Sequence, residues 1–361
     1  IEQALRPTGK RFLFWGDVAM NHPDLVKTLP KSLVPVAWSY GADTSFVRFI
    51  KPFRDAGMET WVAPGVSSWN RVYPNNAVAL VNIQRFIRDG QKLGATGVLN
   101  TSWDDDGEAL FNQGWYGTLF GAAASWQSGE SNIEDFTSSY SEVFHGDTTG
   151  LLDNAQRKLS AAHALLSKGG VGDASDYLFW IDPWSDEGKL MAQRIRPLTH
   201  DLRMIAESAM VLIAEADRPG LQEHDAIDAM ALGARRMDLI GMKFQFADEV
   251  VQMYSRAQDT TNKNASRDLA DITGINGRLQ DLRDAYSLVR DEYEKAWLRE
   301  NRPYWLHNVL ARYDIATQLW INRADRINAS RQQWSRTRKL KPPADIGVPD
   351  SMPGLALTPP A

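Results

Sequence analysis

Over its first 126 residues the chain alternates short apolar runs with stretches whose apolar residues recur every three or four positions. The runs, near 11–15, 34–38, 58–63 and 96–101, predict buried parallel strands. The periodic stretches predict helices. One covers about 44–56, with Phe46, Phe49, Ile50 and Phe53 on one face and Gly57 as its cap. A second covers 77–93, with Val78, Val81, Ile83, Phe86, Ile87 and Leu93 as apolar positions and Gly94 as its stop. A third covers about 115–126, where Gly121-Ala122-Ala123-Ala124 allows close packing on a sheet. A short helix, Asp24 to Leu29, fills the first connection and ends at Pro30. From about 134 the pattern is helical alone, over 134–145, 151–167, 186–217, 222–257, 267–300 and 303–333, with Arg218-Pro219-Gly220 as a turn. Helices of this length pack as a bundle. The proline-rich tail from Lys339 is expected to be extended or disordered. The expected domains are a β/α portion (1–130), a helical domain (131–338) and the tail (339–361).

The expected class is therefore α/β followed by all-α. Two folds accommodate four β/α units. A doubly wound open sheet usually carries a glycine-rich phosphate loop after its first strand, and Trp15-Gly16-Asp17-Val18 has no such pattern. The preferred expectation is the second half of a (β/α)8 TIM barrel, four β/α units, followed by a helical bundle.

In a parallel β/α fold the carboxyl ends of the strands converge on one rim, where ligands bind. Here those ends hold Trp15 and Asp17, then Trp38 and Tyr40, then a long loop (64–76) reaching Trp69, and finally Trp103 and Asp105. Indole faces cover the C–H face of a pyranose, and carboxylates accept from its hydroxyls, so this rim suits a sugar. The run Thr101-Ser102-Trp103-Asp104-Asp105-Asp106-Gly107-Glu108 is the sharpest chemical signal. Its acids are contiguous, which fits poorly with the alternating ligands of an EF-hand; the plain alternative is a solvated turn. Asn70, Arg71 and Tyr73 share the long loop, and Arg71 either meets ligand or pairs with the acidic loop.

Composition narrows the classes. The chain has 361 residues and a net charge of −5, which offers no basic footprint for nucleic acid. With no cysteine there are no disulfides, zinc–thiolate sites or thiol nucleophiles. No apolar run approaches the roughly 20 residues of a membrane span. Six scattered histidines show no metal-ligand spacing, so neither metal nor cofactor is expected. The chain opens on Ile1 without a signal peptide, which suggests a mature or truncated product.

Together these residues resemble the later half of the catalytic barrel of family 20 glycoside hydrolases, the β-N-acetylhexosaminidases. The resemblance covers about residues 10–127 and rests on Phe14-Trp15-Gly16-Asp17, on the strand ending at Trp38, on Thr101-Ser102-Trp103-Asp104-Asp105, and on the Gly-Ala-rich helix ending at Trp126. Trp297-Leu298-Arg299-Glu300-Asn301-Arg302-Pro303 resembles, more weakly, helical tails appended to such enzymes. The resemblance implies a retaining, substrate-assisted hydrolase that releases terminal N-acetylhexosamine, in which the substrate's acetamide oxygen attacks the anomeric carbon. It implies that Trp15 and Trp38 box the acetamide, that Trp103 lies under the sugar, and that Asp105 holds hydroxyls. It also implies a secreted or periplasmic location.

The sequence departs from that pattern twice. The family's Asp-Glu catalytic pair lies upstream of Trp15 and is expected from an N-terminal half, whether processed or separate. Its acetamide-binding tyrosine is replaced by Val66-Ser67-Ser68-Trp69, leaving Tyr40 or Tyr73 as substitutes. The rivals are a non-catalytic carbohydrate-binding protein on the same barrel, and an open α/β domain with a helical oligomerisation module, whose rim tryptophans only pack.

Overall fold

The computed structural model describes residues 2–357. They divide into two compact units, one holding the residues up to Asp153 with Gly220–Gln222, the other Asn154–Pro219 and the residues from Glu223.

The first unit is built on four strands, β1 (Phe12–Trp15), β2 (Leu33–Trp38), β3 (Trp61–Ala63) and β4 (Gly97–Val98). They are parallel and lie in chain order, β1-β2-β3-β4. Short helices at Asp17–Met20 and Pro23–Val26 link β1 to β2. The other connections carry α1 (Val47–Asp55) and α2 (Asn76–Lys92), and α3 (Trp115–Trp126) follows β4.

Register shows which face the helices take. Phe14 lies beside Pro35, Ala37 beside Val62, and Val62 beside Val98, so these residues share one side of the sheet. Phe14 packs with Phe53 of α1; Ala37 and Val62 pack with Phe46, Ile50 and Phe86; Val98 packs against the cluster of Ile83, Ile87 and Phe120. Helices α1, α2 and α3 thus cover a single face. The opposite face leaves Leu13 41%, Trp15 39% and Leu99 38% exposed. A doubly wound sheet reverses its strand order and carries helices on both faces; this sheet does neither. It is also an open sheet of four strands among the described residues, and its outer strands β1 and β4 each pair on one side only.

The second unit is helical. It contains most of α4 (Leu151–Lys168), then α5 (Asp176–Trp180), α6 (Asp186–Ile195), α7 (Thr199–Ala216), α8 (His224–Gln258), α9 (Ala265–Thr273), α10 (Arg278–Glu300) and α11 (Leu306–Thr337). The 35-residue α8 is its core, buried around most of its circumference against α7, α9 and α10. Two long helices expected from periodicity are each broken. The segment 186–217 passes through a 3-10 turn at Arg196–Leu198, where Pro197 has no N–H to donate. The segment 267–300 breaks at Gly274-Ile275-Asn276-Gly277. The expected helix 134–145 is likewise two short pieces, Ile133–Thr137 and a π-turn at Ser141–His145.

The tail corrects its expectation. Pro343–Ile346 forms a helical turn, and Ile346, Val348 and Met352 are buried. Arg196 Nη1 donates to the Pro353 carbonyl at 2.8 Å, and Gln252 Nε2 to that of Ala356 at 2.9 Å. Proline removes donors but leaves carbonyls and apolar surface, which suffice to dock the segment. The last four residues of the expected tail, 358–361, lie outside the described residues. Among the described residues, no helix is long and apolar enough to cross a membrane.

Candidate functional site

The strand ends converge as expected. Trp15, Asp17, Trp38, Tyr40, Trp69, Trp103 and Asp105 together line one open cleft of about 440 Å³.

Local sequence explains how each side chain arrives. After Trp15 the chain turns at Gly16, whose N–H donates to the Val36 carbonyl at 2.9 Å. A Cβ there would meet the Phe53 ring at 2.9 Å, so only glycine lets β1 end this close to α1. Asp17 then accepts a hydrogen bond from Trp38 Nε1 at 3.2 Å, which fixes that indole across two strand ends.

Tyr40 is the hub. Its ring stacks on Trp38 (centroids 5.0 Å apart, planes at 30°) and meets Trp69 at 4.7 Å and 52°. Trp103 Nε1 donates to the Tyr40 hydroxyl at 2.8 Å. An indole nitrogen only donates, so the phenol oxygen accepts here and keeps its own hydrogen for another acceptor. On the other side of the cleft Trp15 and Trp103 approach to 5.6 Å at 53°. Trp15 and Trp103 are each 39% exposed, a large apolar surface presented to solvent.

Loop 64–76 is packed. Val66, Ser68, Val72 and Tyr73 are buried, and pairing of Gly65 with Thr101 continues the sheet beyond β4. Ser67 (φ 54°) and Asn70 (φ 57°) take left-handed backbone, uncommon outside glycine, to hold Trp69 between them. Arg71 lies over the Trp69 ring at 5.6 Å and donates to the Trp69 carbonyl at 2.6 Å. Of the two tyrosines considered as acetamide donors, Tyr40 lines the cleft and Tyr73 is buried, outside its lining.

The acidic loop separates into parts. Asp104 Oδ1 accepts from the Ala109 N–H at 3.0 Å, and Asp106 Oδ1 from the Glu108 N–H at 3.2 Å. Glu108 is buried. Asp105 alone of the four lines the cleft. Burial pushes the Asp104 carboxyl above the usual aspartate range; the Ala109 N–H opposes that shift and the nearby Asp106 adds to it.

The sequence reading missed Asn82. It lies on the buried stripe of α2, fully enclosed. Its Oδ1 accepts from the Gly65 N–H at 3.0 Å, and its Nδ2 donates to the carbonyls of Ser39 and Gly41 at 2.9 and 2.8 Å. One amide thereby ties the ends of β2 and β3 and frames Tyr40. Gly65 completes the arrangement, because a Cβ there would meet both Trp69 and Tyr40 at 2.9 Å. A polar residue flanked by Val81 and Ile83 was the available signal.

Among the described residues no group of three or more His, Asp or Glu side chains is placed to hold a metal ion. No protein-family model matches the chain, and no curated protein does.

Proposed function

We propose that this cleft binds a terminal N-acetylhexosamine, and that the chain is the later half of a family 20-like β-N-acetylhexosaminidase barrel. One observation carries the reading: five aromatic side chains and two carboxylates from successive strand ends line a single cleft, with the Tyr40 hydroxyl hydrogen left unspent.

The chemistry follows from those groups. Trp103 and Trp15 offer indole faces to the sugar's C–H surface. Asp105 accepts from ring hydroxyls as a charge-assisted acceptor. Trp38 covers the acetamide methyl, and the adjoining Tyr40 O–H donates to the acetamide oxygen. Held in this way, that oxygen is aimed at the anomeric carbon and displaces the leaving group with the substrate's own nucleophile. Asp17 acts through Trp38 by fixing its indole. Protonation of the leaving oxygen falls to an acid from a partnering half. The one-sided sheet, with its uncovered apolar face and singly paired outer strands, supports such a partner.

The second reading is a sugar-binding protein without hydrolysis. It is favoured by the cleft's own carboxylates, since the lining holds no Asp-Glu pair.

A bicyclic thiazoline mimic of the cyclised acetamide intermediate separates the two. The hydrolase reading expects it to bind about 100-fold more tightly than N-acetylglucosamine, as intermediate mimics do. Equal affinity would favour the binding protein, and no affinity for either ligand would end the sugar reading. The chain by itself should not hydrolyse a 4-nitrophenyl N-acetyl-β-glucosaminide; turnover would show that the acid lies within it.

A further inference from the structure

The helical unit contains a cavity of about 600 Å³, within the range of small-ligand sites. Its aromatic lining is Tyr177, Trp180, Tyr286 and Trp320, and Ile315 and Leu319 stand with Trp320 on α11. Tyr286 and Trp320 are buried and form the floor, whereas Tyr177 (47% exposed) and Ile315 (71%) stand at the mouth.

Three polar groups that line this cavity, on Lys243, Tyr286 and Asp182, are held in hydrogen bonds; Asp176 and Arg312 also line it. Lys243 is buried on α8, and its amine donates at 2.7 Å to each of three carbonyls at the end of α5, those of Leu178, Phe179 and Ile181. Three carbonyls surround the amine, which holds this lysine as a strut, while burial pushes its pKa well below the ordinary lysine range. The Tyr286 hydroxyl donates to the Phe179 carbonyl at 3.1 Å. Asp182 accepts from the Trp184 N–H at 3.0 Å and pairs with Arg323 at 2.7 Å. The Arg323 guanidinium in turn lies against both Trp184 and Trp320, at 4.2 and 4.8 Å. This network ties α5, α8 and α11 together beneath the cavity, with Arg323 Nη1 left without a hydrogen-bond partner.

Such a floor discriminates. A sugar pressed onto this floor would bury hydroxyls against the Lys243 and Tyr286 donors, which are already used, at a cost for each. A flat apolar ring loses less and gains contact with the accessible faces of Tyr177 and Trp180 above the Tyr286–Trp320 floor. We propose that the helical unit carries a second, preformed ligand site, for an aryl small molecule whose polar end faces solvent at Tyr177. The site is independent of the sugar reading.

The test uses the whole chain and a neutral environment-sensitive probe, N-phenyl-1-naphthylamine, followed by fluorescence. The wild type should bind one equivalent saturably. Ala316→Trp, which fills the cavity, should weaken binding about tenfold or more with the circular dichroism spectrum and melting temperature retained. Ile315→Glu at the exposed mouth, where folding is not at risk, should also weaken it. Leu13→Glu, on the bare sheet face of the other unit, should leave binding unchanged, and excess N-acetylglucosamine should not displace the probe. Absence of saturable binding, unchanged affinity in Ile315→Glu together with a folded Ala316→Trp, or displacement by the sugar would each overturn the proposal.

Discussion

At the scale of single residues the cleft separates groups that face a ligand from groups that build the wall. Asp105→Ala should weaken N-acetylglucosamine binding roughly 10- to 150-fold, the equivalent of about 1.5–3 kcal/mol for a charge-assisted hydrogen bond. Titration calorimetry reads this directly. Asp104→Ala should do the opposite: affinity changes little, but the loop loses its bond from the Ala109 N–H, and the melting temperature falls. If the two variants behave alike, the division of the acidic loop is wrong. The resemblance singled out Asp105, but the run itself carries no sign of which carboxylates will turn inward to backbone N–H groups. Short acidic side chains do this readily in turns. Trp15, Trp38 and Trp103 were legible, since a tryptophan just beyond an apolar run has one rim to occupy.

Elements are held to each other by a few buried polar side chains, and these fix the cleft's shape. Replacing Asn82 with leucine would leave the Gly65 N–H and two carbonyls unpaired, so stability should drop by about 2–4 kcal/mol in a urea titration. A drop below about 0.5 kcal/mol would show that the strand ends hold without it. Asp89 does similar work at the start of α1. It accepts from the Phe46 N–H at 2.8 Å, from Arg88 at 2.9 Å and from Ser45 at 3.2 Å. Burial alone would raise its pKa, but these bonds outweigh it and hold the carboxyl below the ordinary 3.8. A depressed carboxylate stabilises the fold above its unfolded pKa, and the gain disappears as pH falls through the folded value. Asp89→Asn should therefore cost about 1–2 kcal/mol at neutral pH, with the difference from wild type closing in acid below 3.8. A gap that stays constant down to acid would contradict this. Helix positions were legible from periodicity because each core stripe is mostly apolar, with a few buried polar residues such as Asn82 and Lys243. The breaks at 196–198 and 274–277 were not, since their flanking apolar residues keep a helical rhythm across Pro197 and Gly274.

At the scale of the molecule, the strand order was legible because each strand is followed by an amphipathic segment, which forces parallel neighbours. Closure into a barrel could not be read from four units, and the structure presents an open sheet with a bare face at Leu13, Trp15 and Leu99. That face should drive association: sedimentation of the wild-type chain should show concentration-dependent dimers or larger species, and Leu13→Glu should shift them toward monomer. A wild type that stays monomeric throughout would remove the structural support for a partnering half. Recognition of an amino sugar's acetamide by the cleft can be read by titrating intrinsic tryptophan fluorescence with N-acetylglucosamine and with glucose. N-acetylglucosamine should quench saturably and bind at least about tenfold tighter than glucose, with that preference lost in Tyr40→Phe, which removes the hydroxyl and keeps the ring. Equal response to both sugars, or a preference that survives in Tyr40→Phe and in Trp38→Ala, would contradict acetamide recognition.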